Sequence, residues 1–124
     1  MICLDANVLI EIILGRTHAQ ACRDYINSVQ DDLAIKLLSL DLLLYFAKSN
    51  KLNLPAIEEF LRLYVWLPMT DGDAEWAFRR FAGTDFDDAL QIATTIREAC
   101  TMFVTLDKKL AKKYASDLPV KLLS

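Results

Sequence analysis

The chain has 124 residues, long enough for one domain with a hydrophobic core and too short for two. Hydrophobic residues make up 54% and charged residues 25%, and that apolar excess points to a surface buried in a dimer or against a partner. A net charge of −3 speaks against a broad basic face gripping nucleic acid, but not against a nucleic-acid enzyme whose acids hold divalent cations.

No run of 18 apolar residues is present, so no membrane span is expected, and Met1 leads straight into the first predicted strand, so no signal peptide is expected either. Cys3, Cys22 and Cys100 are odd in number, lie inside apolar patterns and lack metal-ligand spacing. They are expected to be buried thiols in a reducing, cytoplasmic compartment.

Residues 2–4 form a buried strand that runs directly into Asp5. Residues 6–14 follow as a helix stopped by Gly15, and Thr17 is placed to cap a second helix through about residue 30. The apolar run 33–38, closed by Ser39, reads as the second strand, and the Leu-rich stretch 41–51 as a helix. Pro55 suits the first turn of a helix over 55–64, and residues 65–67 make a third strand closed by Pro68. Asp71 or Asp73 starts a helix that ends near Gly83, and Thr84 opens the longest helix, reaching about Cys100. A fourth strand over 101–106, a short basic helix over 107–114 and a last strand over 120–123 complete the chain. Strands separated by helices imply parallel pairing, right-handed crossovers and helices on both sheet faces. The expected architecture is a single three-layer α/β domain over residues 1–124 with about five strands.

Ligands gather outside the carboxyl ends of the strands in such a sheet, and two acids stand there. Asp5 closes the first strand and Asp107 the fourth, while Asp88 lies in the first turns of the long helix. Each alone is explained as a helix N-cap or a first-turn acid. Together they predict a cluster of carboxylates that repel one another unless a cation offsets them. Oxygen-only ligation selects Mg²⁺ or Mn²⁺, which can activate water against a phosphoryl group. Asp87 stands three residues after Thr84, in the spacing of a capping box, and is expected to be a cap or solvent residue. Asp85 shares a helix face with Asp88 and is either a further ligand or another first-turn acid. His18, the single histidine, is expected on the surface near a helix start. Lys108, Lys109, Lys112 and Lys113 form a solvated face or touch phosphates, and Trp66 and Trp76 belong to core or interface.

Three stretches, Leu4-Asp5-Ala6-Asn7-Val8-Leu9-Ile10, Asp85-Phe86-Asp87-Asp88-Ala89-Leu90-Gln91-Ile92-Ala93 and Phe103-Val104-Thr105-Leu106-Asp107-Lys108-Lys109-Leu110, carry a family resemblance in their order and spacing. Over essentially its whole length the chain resembles the PIN-domain ribonucleases, particularly VapC-like toxins of bacterial toxin–antitoxin pairs. The resemblance implies a PIN-like α/β/α sandwich with a parallel sheet in the order 3-2-1-4-5. It implies metal-binding roles for Asp5, Asp88 and Asp107, with Asn7 and Thr105 orienting those acids. It further implies Mg²⁺- or Mn²⁺-dependent hydrolysis of RNA phosphodiesters, an antitoxin partner and a homodimer.

One departure stands out. The family usually carries a further acid in the helix after the second strand, at a position nearest Leu42 here. Asp41 is one residue away, a rotation of about 100° on a helix. Either the register shifts so that Asp41 serves, or Asp85 substitutes, or the site binds metal poorly. A degenerate PIN domain that binds a partner or RNA without cutting is therefore the alternative reading. A phosphotransfer enzyme with Asp5 as nucleophile fits less well, because Asn7 stands where such enzymes need an acid.

Overall fold

The computed structural model describes residues 1–81, 83 and 85–123. In chain order the elements are β1 (Ile2–Leu4), α1 (Ala6–Ile13), α2 (Ala19–Ser28), β2 (Leu33–Lys36), α3 (Leu37–Ser49) and α4 (Leu54–Leu61). They continue as β3 (Val65–Leu67), α5 (Asp71–Arg80), α6 (Phe86–Arg97), β4 (Met102–Thr105), α7 (Lys108–Tyr114) and β5 (Val120–Leu122). The five strands pair in parallel in the order β3-β2-β1-β4-β5, as the sequence reading expected.

Strand side chains alternate between the two faces, and the core divides accordingly. Leu4, Ile35 and Val104 face α1 to α4, where Val8, Leu9 and Leu43 are fully buried. Cys3, Ala34 and Phe103 face the other way, against Ala77, Ile92, Leu110 and Tyr114 of α5 to α7. Each fully buried aliphatic side chain contributes roughly 1.5–3 kcal/mol, so two filled faces suffice to hold short strands in place. Cys3 and Cys22 are buried free thiols, and Cys100 is partly exposed.

Several boundaries differ from the sequence reading, each for a local reason. Gly15 does end α1: at φ +61° it lets its own N–H reach Ile12 O and that of Arg16 reach Glu11 O. Thr17 is not the cap of α2; His18 holds that position and makes no side-chain cap bond, while its backbone N–H donates to Glu11 Oε2 at 2.8 Å. Strand β2 stops at Lys36, and the apolar run continues as the first turn of α3, leaving Leu37 and Leu38 half exposed. Helix α3, with 13 residues, is longer than α6, with 12. Helix α6 stops before Cys100 because Ala99 takes φ +55° and closes a left-handed cap, with Cys100 N–H bonded to Thr95 O. The predicted opening of this helix at Thr84, and its capping box with Asp87, lie outside the described residues.

Candidate metal centre at the carboxyl edge

The strand register builds the centre. Cys3 pairs with Ala34 and Leu4 with Val104, so two steps beyond the first pair and one beyond the second the carboxyl edge carries Lys36, Asp5 and Thr105 side by side. All three lie on the sheet face that α6 covers. Asp5, 8% exposed, is also the N-cap of α1, and its Oδ1 accepts the Asn7 N–H at 3.3 Å. Its Oδ2 accepts the Thr105 hydroxyl at 2.8 Å. The Asn7 amide donates to Thr105 Oγ1 at 3.2 Å and accepts the Leu106 N–H at 3.3 Å. Asn7 and Thr105 thus tie the end of β1 to the turn that presents Asp107. That turn is held again by Asp107 N–H on Thr105 Oγ1 at 3.0 Å.

Asp107 caps α7, with Oδ1 accepting Lys109 N–H at 2.9 Å and Leu110 N–H at 3.1 Å. Its second oxygen is left for other partners. Asp88 enters from the first turn of α6 and lines a cleft of about 380 Å³ with Asp85, Asp107, Lys109 and Lys113. Burial, and then the charges of Asp87, Asp107, Asp5 and Asp85, push its carboxyl up to about 6. Burial likewise pushes Asp5 above the usual carboxylate range, opposed by the Thr105 hydroxyl and the Lys36 charge. Asp5, Asp88 and Asp107 therefore act on one another electrostatically. Among the described residues, however, no three His, Cys, Asp or Glu side chains stand close enough to form a ready metal cage.

The remaining candidates divide. Asp85 precedes α6, and its Oδ2 pairs with Lys113 and accepts the Tyr114 hydroxyl at 3.2 Å. It lies in the cleft, already bound by α7. Asp41 is exposed on α3 and lines a neighbouring groove of about 370 Å³ with Lys36, Ser39 and Asp87; it is not among the largest influences on Asp5 or Asp88. Asp87 is exposed, as expected. His18 is exposed and faces Glu11. Of the basic helix, Lys109 and Lys113 reach the cleft, while Lys108 and Lys112 are exposed. Trp76 packs against the buried face of α5 to α7, and Trp66 is partly exposed at the β3 edge.

The sequence reading missed Lys36 and Gln91. The Lys36 ammonium donates to Gln91 Oε1 at 2.5 Å, and Gln91 is 3% exposed. Burial lowers the Lys36 pKa, while Asp5, Cys3, Asp87 and Asp88 act in the opposite direction. A single lysine inside the apolar run 33–38 was the available signal.

A PIN domain family model matches residues 2–116. This chain belongs to the PIN domain family. A toxin–antitoxin complex from Klebsiella pneumoniae aligns with a TM-score of 0.80 at 17% identity, over 100% of this chain and 98% of that one. VapBC2 from Rickettsia felis, bound to a DNA fragment from its promoter, aligns at 0.76 and 16% identity over the whole of both chains. The Mycobacterium tuberculosis toxin VapC20, described as cleaving the sarcin-ricin loop, aligns at 0.71 and 12% identity, over 90% of this chain and 94% of that one. At these identities the likeness is one of fold. A comparison with curated proteins found no match.

Proposed function

We propose that this chain is a Mg²⁺- or Mn²⁺-dependent endoribonuclease, the toxin of a toxin–antitoxin pair. The observation that carries the reading is that Asp5, Asp88 and Asp107 lie at the carboxyl edge of a PIN domain, near enough to act on one another's charge, with burial and neighbouring acids destabilising the charged forms of Asp5 and Asp88. All three offer oxygen donors, the set that suits a hard divalent ion, and such an ion relieves the repulsion. The three acids would hold the ion, which supplies Lewis-acid polarisation of the phosphoryl oxygen and of the attacking water.

The chain's own groups do the positioning. The Thr105 hydroxyl occupies one face of Asp5 Oδ2 and so fixes the carboxylate plane. Asn7 holds that hydroxyl and the Leu106 N–H together, which sets the distance between the β1 and β4 edges. Lys109, exposed at the rim of the cleft, is placed to meet a phosphate of an RNA backbone. An antitoxin and a second copy of the chain are the protein partners of this reading. The half-exposed Leu44, Leu54 and Trp66 support them, lining a groove of about 510 Å³ between α3, α4 and β3.

The alternative, a PIN domain that binds without cutting, draws on one observation: the α3 acid Asp41 stands apart from the cluster while a lysine sits beside it. An RNA-cleavage assay with Mg²⁺, Mn²⁺ or EDTA separates the two readings. Cutting that needs the ion and disappears in both Asp5→Asn and Asp88→Asn is the expected result. A folded protein that neither cuts RNA nor binds Mn²⁺ at millimolar concentration would instead be the binding module.

A further inference from the structure

Resting on the metal-dependent reading, we infer that Lys36 is a built-in cation of the carboxylate edge, so that the site takes one divalent ion rather than two. The register puts Lys36 directly beside Asp5, on the sheet face that α6 covers with Asp88 and Gln91. Its ammonium is held by the Gln91 amide oxygen at 2.5 Å. Among the described residues no carboxylate comes within 4.0 Å of it.

That arrangement is informative. A lysine beside several acids ordinarily collapses onto one of them, because each ion pair gains Coulomb energy at close range. Here a neutral, buried amide takes the ammonium instead. The carboxylates keep lone pairs for an external ligand while still feeling a fixed positive charge. The charge balance agrees. Asp5, Asp88 and Asp107 together match one divalent ion plus one ammonium; of the neighbouring acids, Asp85 is paired with Lys113 and Asp87 is exposed to solvent. Helix α3, which follows Lys36 directly, adds no carboxylate to the set, because Asp41 opens onto the adjacent groove. A side chain that cannot dissociate also keeps part of the acidic edge neutralised before any metal arrives.

The test is Mn²⁺ titration calorimetry of the full chain at about pH 8. The native protein is expected to bind one Mn²⁺ per chain. Lys36→Met, which removes a repelling charge, should bind Mn²⁺ about tenfold more tightly. Lys36→Arg, which keeps the charge, should stay within about threefold of native. A substitution that merely damaged the structure would loosen the ion, so the direction of change separates the two causes. Thermal melts of both variants confirm that the fold is retained. Two ions per native chain, or equal or weaker binding in Lys36→Met, overturns the inference while leaving a metal-dependent nuclease standing. No Mn²⁺ bound by the folded native protein overturns the metal-dependent reading and the inference with it.

Discussion

A single buried carboxylate and a cluster of carboxylates stand at opposite ends of the same helix, and their partners differ in kind. Asp73, 2% exposed, sits in a capping box with Thr70 at the start of α5. Its Oδ1 accepts Arg97 Nε at 2.8 Å, and its Oδ2 accepts the Arg97 guanidinium at 3.1 Å, the Thr94 hydroxyl at 2.9 Å and the Thr70 N–H at 3.0 Å. Burial would push this carboxyl up, but those donors together hold it below the usual range. At the other end of α6, Asp88 is pushed up to about 6, by burial first and then by four neighbouring acids. A carboxylate satisfied by protein donors belongs to the fold. One surrounded by other carboxylates is the kind that an external cation would complete, and that contrast supports the proposed site without reference to any relative.

The sharpest way to break the contrast is to remove one charge at each end. Asp5→Asn keeps the size of the side chain and removes a metal-facing charge, so RNA cleavage should fall about a thousandfold, or about 4 kcal/mol in the barrier, with the melting temperature near native. Arg97→Met should do the reverse. It leaves Asp73 buried without its cation, at a cost of about 3 kcal/mol in urea unfolding, while cleavage per folded molecule stays near native. Loss of stability in Asp5→Asn, with no loss of cutting, would exchange the two assignments.

The fold was legible because its signals are local. Short apolar strands, Gly15 and Pro55 mark the order of elements, and that order with parallel pairing leaves few topologies. Boundaries were less legible where a residue other than glycine takes the left-handed cap, as at Ala99, which ends α6 with Cys100 N–H on Thr95 O. Asp5, Asp88 and Asp107 could be picked out because each stands beside a strand or helix end. Asp73 read only as a helix-start acid, since its partner Arg97 lies 24 residues away and on another helix. Lys36 was passed over for a related reason. A lysine within the apolar run 33–38 carries no sign of its neighbours, and only the register with β1 puts it beside Asp5.

A subtler effect belongs to Asp88. Its carboxyl sits at about 6 in the folded protein against 3.8 in the unfolded chain, so the folded state binds this proton more tightly. The resulting stabilisation is complete below about pH 4 and is lost as the pH rises through about 6. Above that, an ionised Asp88 costs the metal-free protein about 1–2 kcal/mol once solvent screening is allowed for. Asp88→Asn should therefore raise the melting temperature in EDTA by several degrees at about pH 7.5, and by little at about pH 4. Saturating Mn²⁺ should reverse the order at the higher pH by stabilising only the native side chain. An Asn variant less stable than native in EDTA at that pH would mean that Asp88, like Asp73, is satisfied by the protein.

The smallest expected effect concerns Asp85, which shares the cleft with Asp88 yet is bound by the Lys113 ammonium and the Tyr114 hydroxyl. Both members of that pair remain partly exposed, so its loss should cost only about 0.5 kcal/mol. Asp85→Asn should leave Mn²⁺ affinity within about threefold of native, because the substitution removes a nearby charge and no ligand. A drop of a hundredfold or more would make Asp85 a ligand. Lys113 would then be a counter-ion that must release it whenever the metal binds, and the boundary between the two kinds of acid would run through α7 instead of α6.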